Sequence, residues 1–346
     1  MIPQTEAIRQ ADTADTADSS DVSWQHALAN VIREPEELFN LLELDKSKLP
    51  DALRGCDDFP LQVPRAFVDR MVKGDWSDPL LQQILPLGQE LDVHPGFSND
   101  PLLELSDNPI PGLIHKYHGR VLLIVSGGCA INCRYCFRRH FPYQENNPSR
   151  REWQQALDYI RQDNSIKEVI LSGGDPLAAN DNMLRNLTAR IADIPHVEIL
   201  RVHSRMPVVI PQRITSPGMN WLTDTRLTPV MVIHSNHPNE IDHHVIEALQ
   251  TLKREGVTLL NQTVLLAGIN DNPEALLALS KRLFAAGVLP YYLHMLDKVS
   301  GAAHFEVTEK RAKELITILQ NQLPGYLIPK LVREQSGELS KMPINN

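Results

Sequence analysis

The sequence predicts an α/β chain: a partial (βα)6 barrel of the TIM-like kind, with an N-terminal helical region before it and a short C-terminal tail after it. Three observations carry this reading. From residue 120 onward, short runs rich in Val, Ile and Leu alternate with segments of helical periodicity, which is the pattern of a parallel sheet covered on both faces. Before that point apolar residues recur at helical spacing alone, between Pro and Asp breaks. Polar and Gly-rich residues collect at nearly every strand end, as they do where parallel strands converge on one reactive face. A doubly wound open sheet satisfies the first observation as well.

Residues 1–22, with the near-repeat "ADTADTADSS", are too polar to offset chain entropy by burial and read as a mobile leader. The helical region spans 23–106 and includes "SWQHALANVIREPEELFNLLEL", "PRAFVDRMVKGD" and "PLLQQILPLGQEL". The barrel is placed at 107–322. Its strands are read in "RVLLIVS", "KEVILSGG", "VEILRVHS", "TPVMVIHS", "GVTLLNQTVL" and "VLPYYLHML", and its helices over 149–163, 180–193, 239–255, 272–286 and 307–321, with a shorter one near 212–225. Residues 323–346 form the tail.

The 346 residues, 42% of them hydrophobic, suffice for one large domain with a smaller attachment. A net charge of −9 with dispersed basic residues lacks the electrostatic footprint of a nucleic-acid binder. No apolar run approaches about 18 residues, and the first residues have neither a basic n-region nor an apolar h-region. A cytoplasmic protein without a membrane partner is therefore expected. In a reducing compartment four cysteines are not a disulfide framework.

Three of those cysteines, Cys129, Cys133 and Cys136, lie in "SGGCAINCRYCFRRHF" with spacing C-x3-C-x2-C. Three thiolates on one loop can hold three irons of a [4Fe–4S] cube and leave the fourth iron open to a small molecule. A structural zinc site would need a fourth ligand, and Cys56 stands apart in the helical region. Arg138 and Arg139 suit the grip of a small carboxylate or phosphate.

"CAINCRYC" resembles the signature of the radical SAM superfamily, and "LSGGDPL" resembles the loop of that superfamily that receives the methionine amine. The resemblance implies a [4Fe–4S] cluster on the three cysteines and S-adenosyl-L-methionine held in part by Gly173, Gly174 and Asp175. It narrows to the lysine 2,3-aminomutase group over "HKYHGRVLLIVSGGCAINCRYCFRRHF", "RVHSRMPVVIPQRIT", "HSNHPNE", "NQTVLLAGINDN" and "PYYLHMLDKVSGAAHF".

That group also needs pyridoxal 5′-phosphate, so the resemblance implies a Schiff-base lysine. The matching segment "PKLVREQSGELSKMPI" points to Lys341, with Lys330 as the rival. By the same resemblance Arg138 holds the substrate α-carboxylate, and Arg120 and Tyr117 lie near pyridoxal phosphate. Asp297 receives the distal ammonium, with Glu334 where the group has an aspartate, and His234 and Gln262 contact the adenosyl cofactor. His294 replaces a common tyrosine, while His203 and Arg205 face the site without an assigned role.

The chain stops five residues after Lys341, which resembles the branch that makes (R)-β-lysine from L-lysine for elongation factor P. The implied partners are an electron donor such as flavodoxin or ferredoxin, the elongation factor P lysine ligase and elongation factor P itself. Two alternatives stand beside this reading. One is an isomerase acting on glutamate or arginine. The other is a non-catalytic iron–sulfur protein of the translation apparatus.

Overall fold

The computed structural model describes residues 23–104, 107–143 and 150–345. The leader expected over 1–22 lies outside them. The chain begins with four short helices, α1 (Trp24–Ala29), α2 (Pro35–Leu41), α3 (Leu49–Cys56) and α4 (Arg65–Val68). Ser23 caps α1 by accepting from the His26 amide, and Pro35 opens α2 with Glu36 and Glu37 in its first turn, where fixed φ and the helix dipole favour them. Ile32, Phe39, Leu61 and Phe67 from this region are buried in the same apolar cluster as Val121, Leu123 and Leu171 of the sheet. The helical region therefore shares its core with the barrel.

Nine strands form one sheet among the described residues, in strict sequence order: β1 (Leu113–Tyr117), β2 (Arg120–Ser126), β3 (Glu168–Gly173), β4 (Ile199–Ser204), β5 (Thr228–His234), β6 (Thr258–Val264), β7 (Leu289–His294), β8 (Lys330–Arg333) and β9 (Met342–Pro343). Strands β2 to β8 are parallel, while β1 and β9 add antiparallel edges. An order that never reverses has no switch point, so the doubly wound alternative falls. No ladder joins β9 to β1 among the described residues, and the barrel is partial.

Two departures from expectation matter for the site. The tail contributes a seventh parallel strand, β8, whose four residues are too few to display a period. The antiparallel strand β1 turns into β2 through Gly119 at φ 77°, a left-handed position that suits glycine in a tight hairpin.

Between strands run α5 (Arg150–Gln162), α6 (Asp181–Ala192), α7 (Met206–Val209), α8 (Ser216–Thr223), α9 (His243–Arg254), α10 (Pro273–Ala285) and α11 (Glu309–Gln322). Asn180, Asp242 and Asn272 each accept from a backbone amide three residues on, at 2.9 Å, which satisfies an orphan donor at each helix start. Helix α9 begins four residues later than expected because Pro238–Glu240 forms a separate tight turn. Leu184, Leu187 and Ile191 of α6, and Val245, Leu249 and Leu252 of α9, are buried against the sheet.

Candidate active site

The carboxyl ends of the strands enclose a cavity of about 490 Å³. Its wall takes alternate residues from successive strands: Ile170 and Ser172, Arg201 and His203, Gln262 and Val264, Tyr292 and His294. That is the inward face dictated by the strand period of two. In β1 a register shift between Ile114 and Tyr117 re-aims the strand, so that both Lys116 and Tyr117 reach the cavity.

Cys129, Cys133 and Cys136 all line it, and Cys56 does not. Their loop is gripped from outside by the N-terminal region. The Asn132 amide donates to Gln62 O at 2.9 Å, the Arg134 amide to Gln83 O at 3.0 Å, and Asn132 Nδ2 to Pro60 O at 2.9 Å. Glu90 accepts from Arg134 Nε at 2.6 Å and from Arg139 Nη2 at 3.1 Å, with all three side chains fully buried.

Burial, and then the neighbouring Cys136 and Asp175, push the Cys129 thiol well up. Burial and Cys133 push Cys136 up to about 11. A bound cationic centre would relieve that mutual repulsion, since ligand thiols bind deprotonated. Among the described residues no three His, Cys, Asp or Glu side chains are placed to hold a single metal ion. Three thiols around one cavity, with Cys56 away from it, are the donor set of a cluster that keeps one iron open to a small molecule.

Arg205 brings a counter-charge. Its Nη1 donates to Cys133 Sγ and to Tyr135 Oη, and its Nη2 donates to Gln83 Oε1 and Glu240 Oε2 at 2.9 and 3.0 Å.

Gly173 (φ 123°) and Gly174 pack directly against the start of the cysteine loop. An added Cβ would lie 2.5 Å from Ser126 O in the first case and 2.5 Å from Gly128 O in the second. Asp175, expected to receive a ligand amine, lines the cavity and also joins two strand ends. Its Oδ1 accepts from Leu177 N and Ser204 Oγ, and its Oδ2 from Arg205 N and Met206 N, so both oxygens tie β3 to the loop after β4.

Arg138, expected to offer its fork to a carboxylate, is already engaged on one edge by Glu104, with Nε to Oε2 at 2.6 Å and Nη2 to Oε1 at 2.8 Å. Burial opposes ionisation of Glu104, but Arg138 and then Lys116 overcome it and hold its carboxyl below the usual range.

Lys341 lies on the cavity wall, whereas Lys330 is exposed at the start of β8. Lys341 Nζ donates to Glu334 Oε2, and Glu334 also faces Lys116 Nζ at 3.5 Å. Burial resists the charge on Glu334, yet Lys341 and Lys116 bring its carboxyl down to about 2. Asp297 takes the opposite course: burial, reinforced by Glu334, pushes it up to about 7.

Arg120 lies over the Tyr117 ring, 4.8 Å from its centroid. Gln262 donates to His294 Nε2 at 3.2 Å. Burial brings His234 down to about 4, so it is a neutral ring. The Nε2 atoms of His203 and His234 are buried without a partner among the described residues. Unmatched polar atoms on a cavity wall suit a polar ligand, and together with Lys341 and Arg120 they fit a phosphate-bearing aldehyde cofactor and an adenosyl group.

Sequence reasoning passed over Glu104, Lys116, Arg201 and Gln83. Lys116 and Arg201 were accessible through alternation, because they share a strand face with Ile114 and His203. Gln83 ends a single 3-10 turn (Leu81–Gln83) and Glu104 lies in an irregular segment, neither long enough to display a period.

A partial barrel with a three-cysteine loop at the carboxyl ends of its strands defines a radical SAM protein, and the profile of the radical SAM superfamily matches residues 123–279. The L-lysine 2,3-aminomutase of Escherichia coli (strain K12) is 50% identical over 323 residues, 93% of this chain and 94% of that protein. The L-lysine 2,3-aminomutase of Haemophilus influenzae is 46% identical over 341 residues, 99% and 98% of the two. That of Clostridium subterminale is 36% identical over 323 residues, covering 93% of this chain and 77% of its own length. The chain belongs to the L-lysine 2,3-aminomutase family, and it is an isomerase of the aminomutase type.

Proposed function

We propose that the protein converts L-lysine to (R)-β-lysine, and that this product serves the modification of elongation factor P through its lysine ligase, in the cytoplasm and with a flavodoxin or ferredoxin as electron donor. The observation that carries the reading is that one cavity is lined both by Cys129, Cys133 and Cys136 and by Lys341 with the acids Glu334 and Asp297. The cysteine loop would hold the [4Fe–4S] cluster with S-adenosyl-L-methionine on its open iron, and Lys341 would hold pyridoxal phosphate. Bound there, these groups supply a carbon-centred radical and a nitrogen able to migrate.

The chain's own residues bind, orient and exclude water. Arg138 would take the α-carboxylate and Asp297 the distal ammonium, which fixes the length of amino acid the cavity accepts. An acid at the distal end favours a cationic side chain and disfavours glutamate. Arg120 and Tyr117 would flank the phosphate of the cofactor, and neutral His234 and Gln262 the adenosyl group. Gly173 and Gly174 keep the cysteine loop close to the substrate end, as radical transfer demands near-contact.

The test is a product assay on L-lysine with chiral separation, using protein reconstituted with iron, sulfide, both organic cofactors and a reductant. (R)-β-lysine is the expected product. Release of no β-lysine sinks the reading, and the (S) isomer sinks the assignment to the elongation factor P branch.

A further inference from the structure

Glu104 lies outside every motif, in an irregular stretch before β1, yet it is buried against Arg138. Its two oxygens close the Nε/Nη2 edge of the guanidinium with the short pair described above. On the other side Nη1 makes longer bonds, 3.2 Å to Ser172 Oγ and 3.3 Å to Gly173 O. The rings of Phe137 and Phe141 lie 4.9 and 6.0 Å from the guanidinium carbon. Of the five N–H groups of an arginine, those on the Nη1/Nη2 edge are held least tightly.

A second observation points the same way. Leu103, immediately before Glu104, has φ 50°, a left-handed backbone that leucine rarely adopts. The Glu104 amide is held by Asp100 Oδ1 at 3.1 Å, and Lys116 Nζ donates to Leu102 O at 3.3 Å. Strain that persists under such bracing goes with a side chain that must be delivered to one place.

We propose that Glu104 is a positioning residue for carboxylate recognition: it closes one edge of Arg138 and presents the Nη1/Nη2 edge to the α-carboxylate of the substrate. The incoming carboxylate exchanges two long bonds for a bidentate charged pair, on a guanidinium whose plane is already fixed, so little ordering is left for binding to supply. The inference rests on the lysine reading above.

Calorimetric binding of L-lysine and L-lysinamide to the reconstituted enzyme tests it, because the amide retains both amines and lacks the carboxylate. The wild type should prefer lysine by roughly tenfold or more, the worth of a charged hydrogen-bonded pair. Glu104→Gln should shrink that preference toward the value of Arg138→Gln, the double variant should lose no more than Arg138→Gln alone, and Glu104→Asp should keep part of it.

An unchanged preference in Glu104→Gln, equal weakening of both ligands, or losses that add in the double variant overturn the proposal. If Glu104→Gln does not fold, Glu104→Asp carries the test, and an unchanged preference again overturns it. Failure of the lysine reading looks different: the wild type then forms no β-lysine and binds neither ligand.

Discussion

Glu90 and Arg134 form an ion pair at 2.6 Å in which neither side chain has any exposed surface. Arg134 sits between Cys133 and Tyr135 in the chain, while Glu90 belongs to the N-terminal region, so the pair fastens the cysteine loop to that region. Glu90→Gln would leave Arg134 and Arg139 buried with one charge too few. Removing one partner of such a pair costs about 3 kcal/mol. Urea unfolding of the variant should show that loss, and iron retained per chain after gel filtration should fall with it.

Lys341→Ala should abolish the visible absorbance of a pyridoxal Schiff base and all turnover, while Lys330→Ala should leave both intact. Spectra of the two reconstituted variants read this directly. Loss of the band in Lys330→Ala with its survival in Lys341→Ala would reverse the assignment.

The Asp297 carboxyl is raised from 3.8 to about 7 by burial, then by Glu334. The folded chain therefore keeps a proton that the unfolded chain releases, and the contribution of this group to stability declines as pH rises from about 4 to about 7, levelling beyond that. A distal ammonium needs the ionised form. Lysine affinity should accordingly improve as pH rises through about 7, and Asp297→Asn should flatten that rise and weaken binding roughly tenfold, the scale of a charged hydrogen bond. Binding titrations across this range check both.

Gly174→Ala places a Cβ 2.5 Å from Gly128 O, whereas Gly325→Ala meets nothing within 4 Å. Backbone on both sides of the first contact must shift, and the cysteine loop with it. Iron and sulfide content should fall sharply in Gly174→Ala and remain at the wild-type level in Gly325→Ala.

Most barrel strands were legible because they are long, apolar runs. "RVLLIVS" coincides with β2, residue for residue. The tail was not legible, since β8 has four residues and β9 two, and pairing of that length is set by tertiary contacts. The cysteines and Lys341 could be named from motif and resemblance. Their supports could not: Gln83 draws together Tyr135, Arg205, Asn236 and Glu240 from three segments distant in sequence, and no local pattern announces such a meeting. The four backbone and hydroxyl donors that Asp175 meets were equally invisible in its loop motif.

The sheet is open between β1 and β9, yet Lys116 on β1 reaches Glu334 just after β8 at 3.5 Å, and Glu334 in turn holds Lys341. Elsewhere the wall of the cavity is stitched by backbone ladders, whereas across this seam it is clasped by alternating charges: Arg138, Glu104, Lys116, Glu334, Lys341. A clasp of that kind opens by exchange of partners and not by tearing peptide hydrogen bonds. Under the lysine reading proposed above, a zwitterion with a second ammonium would carry both signs needed to trade places in it.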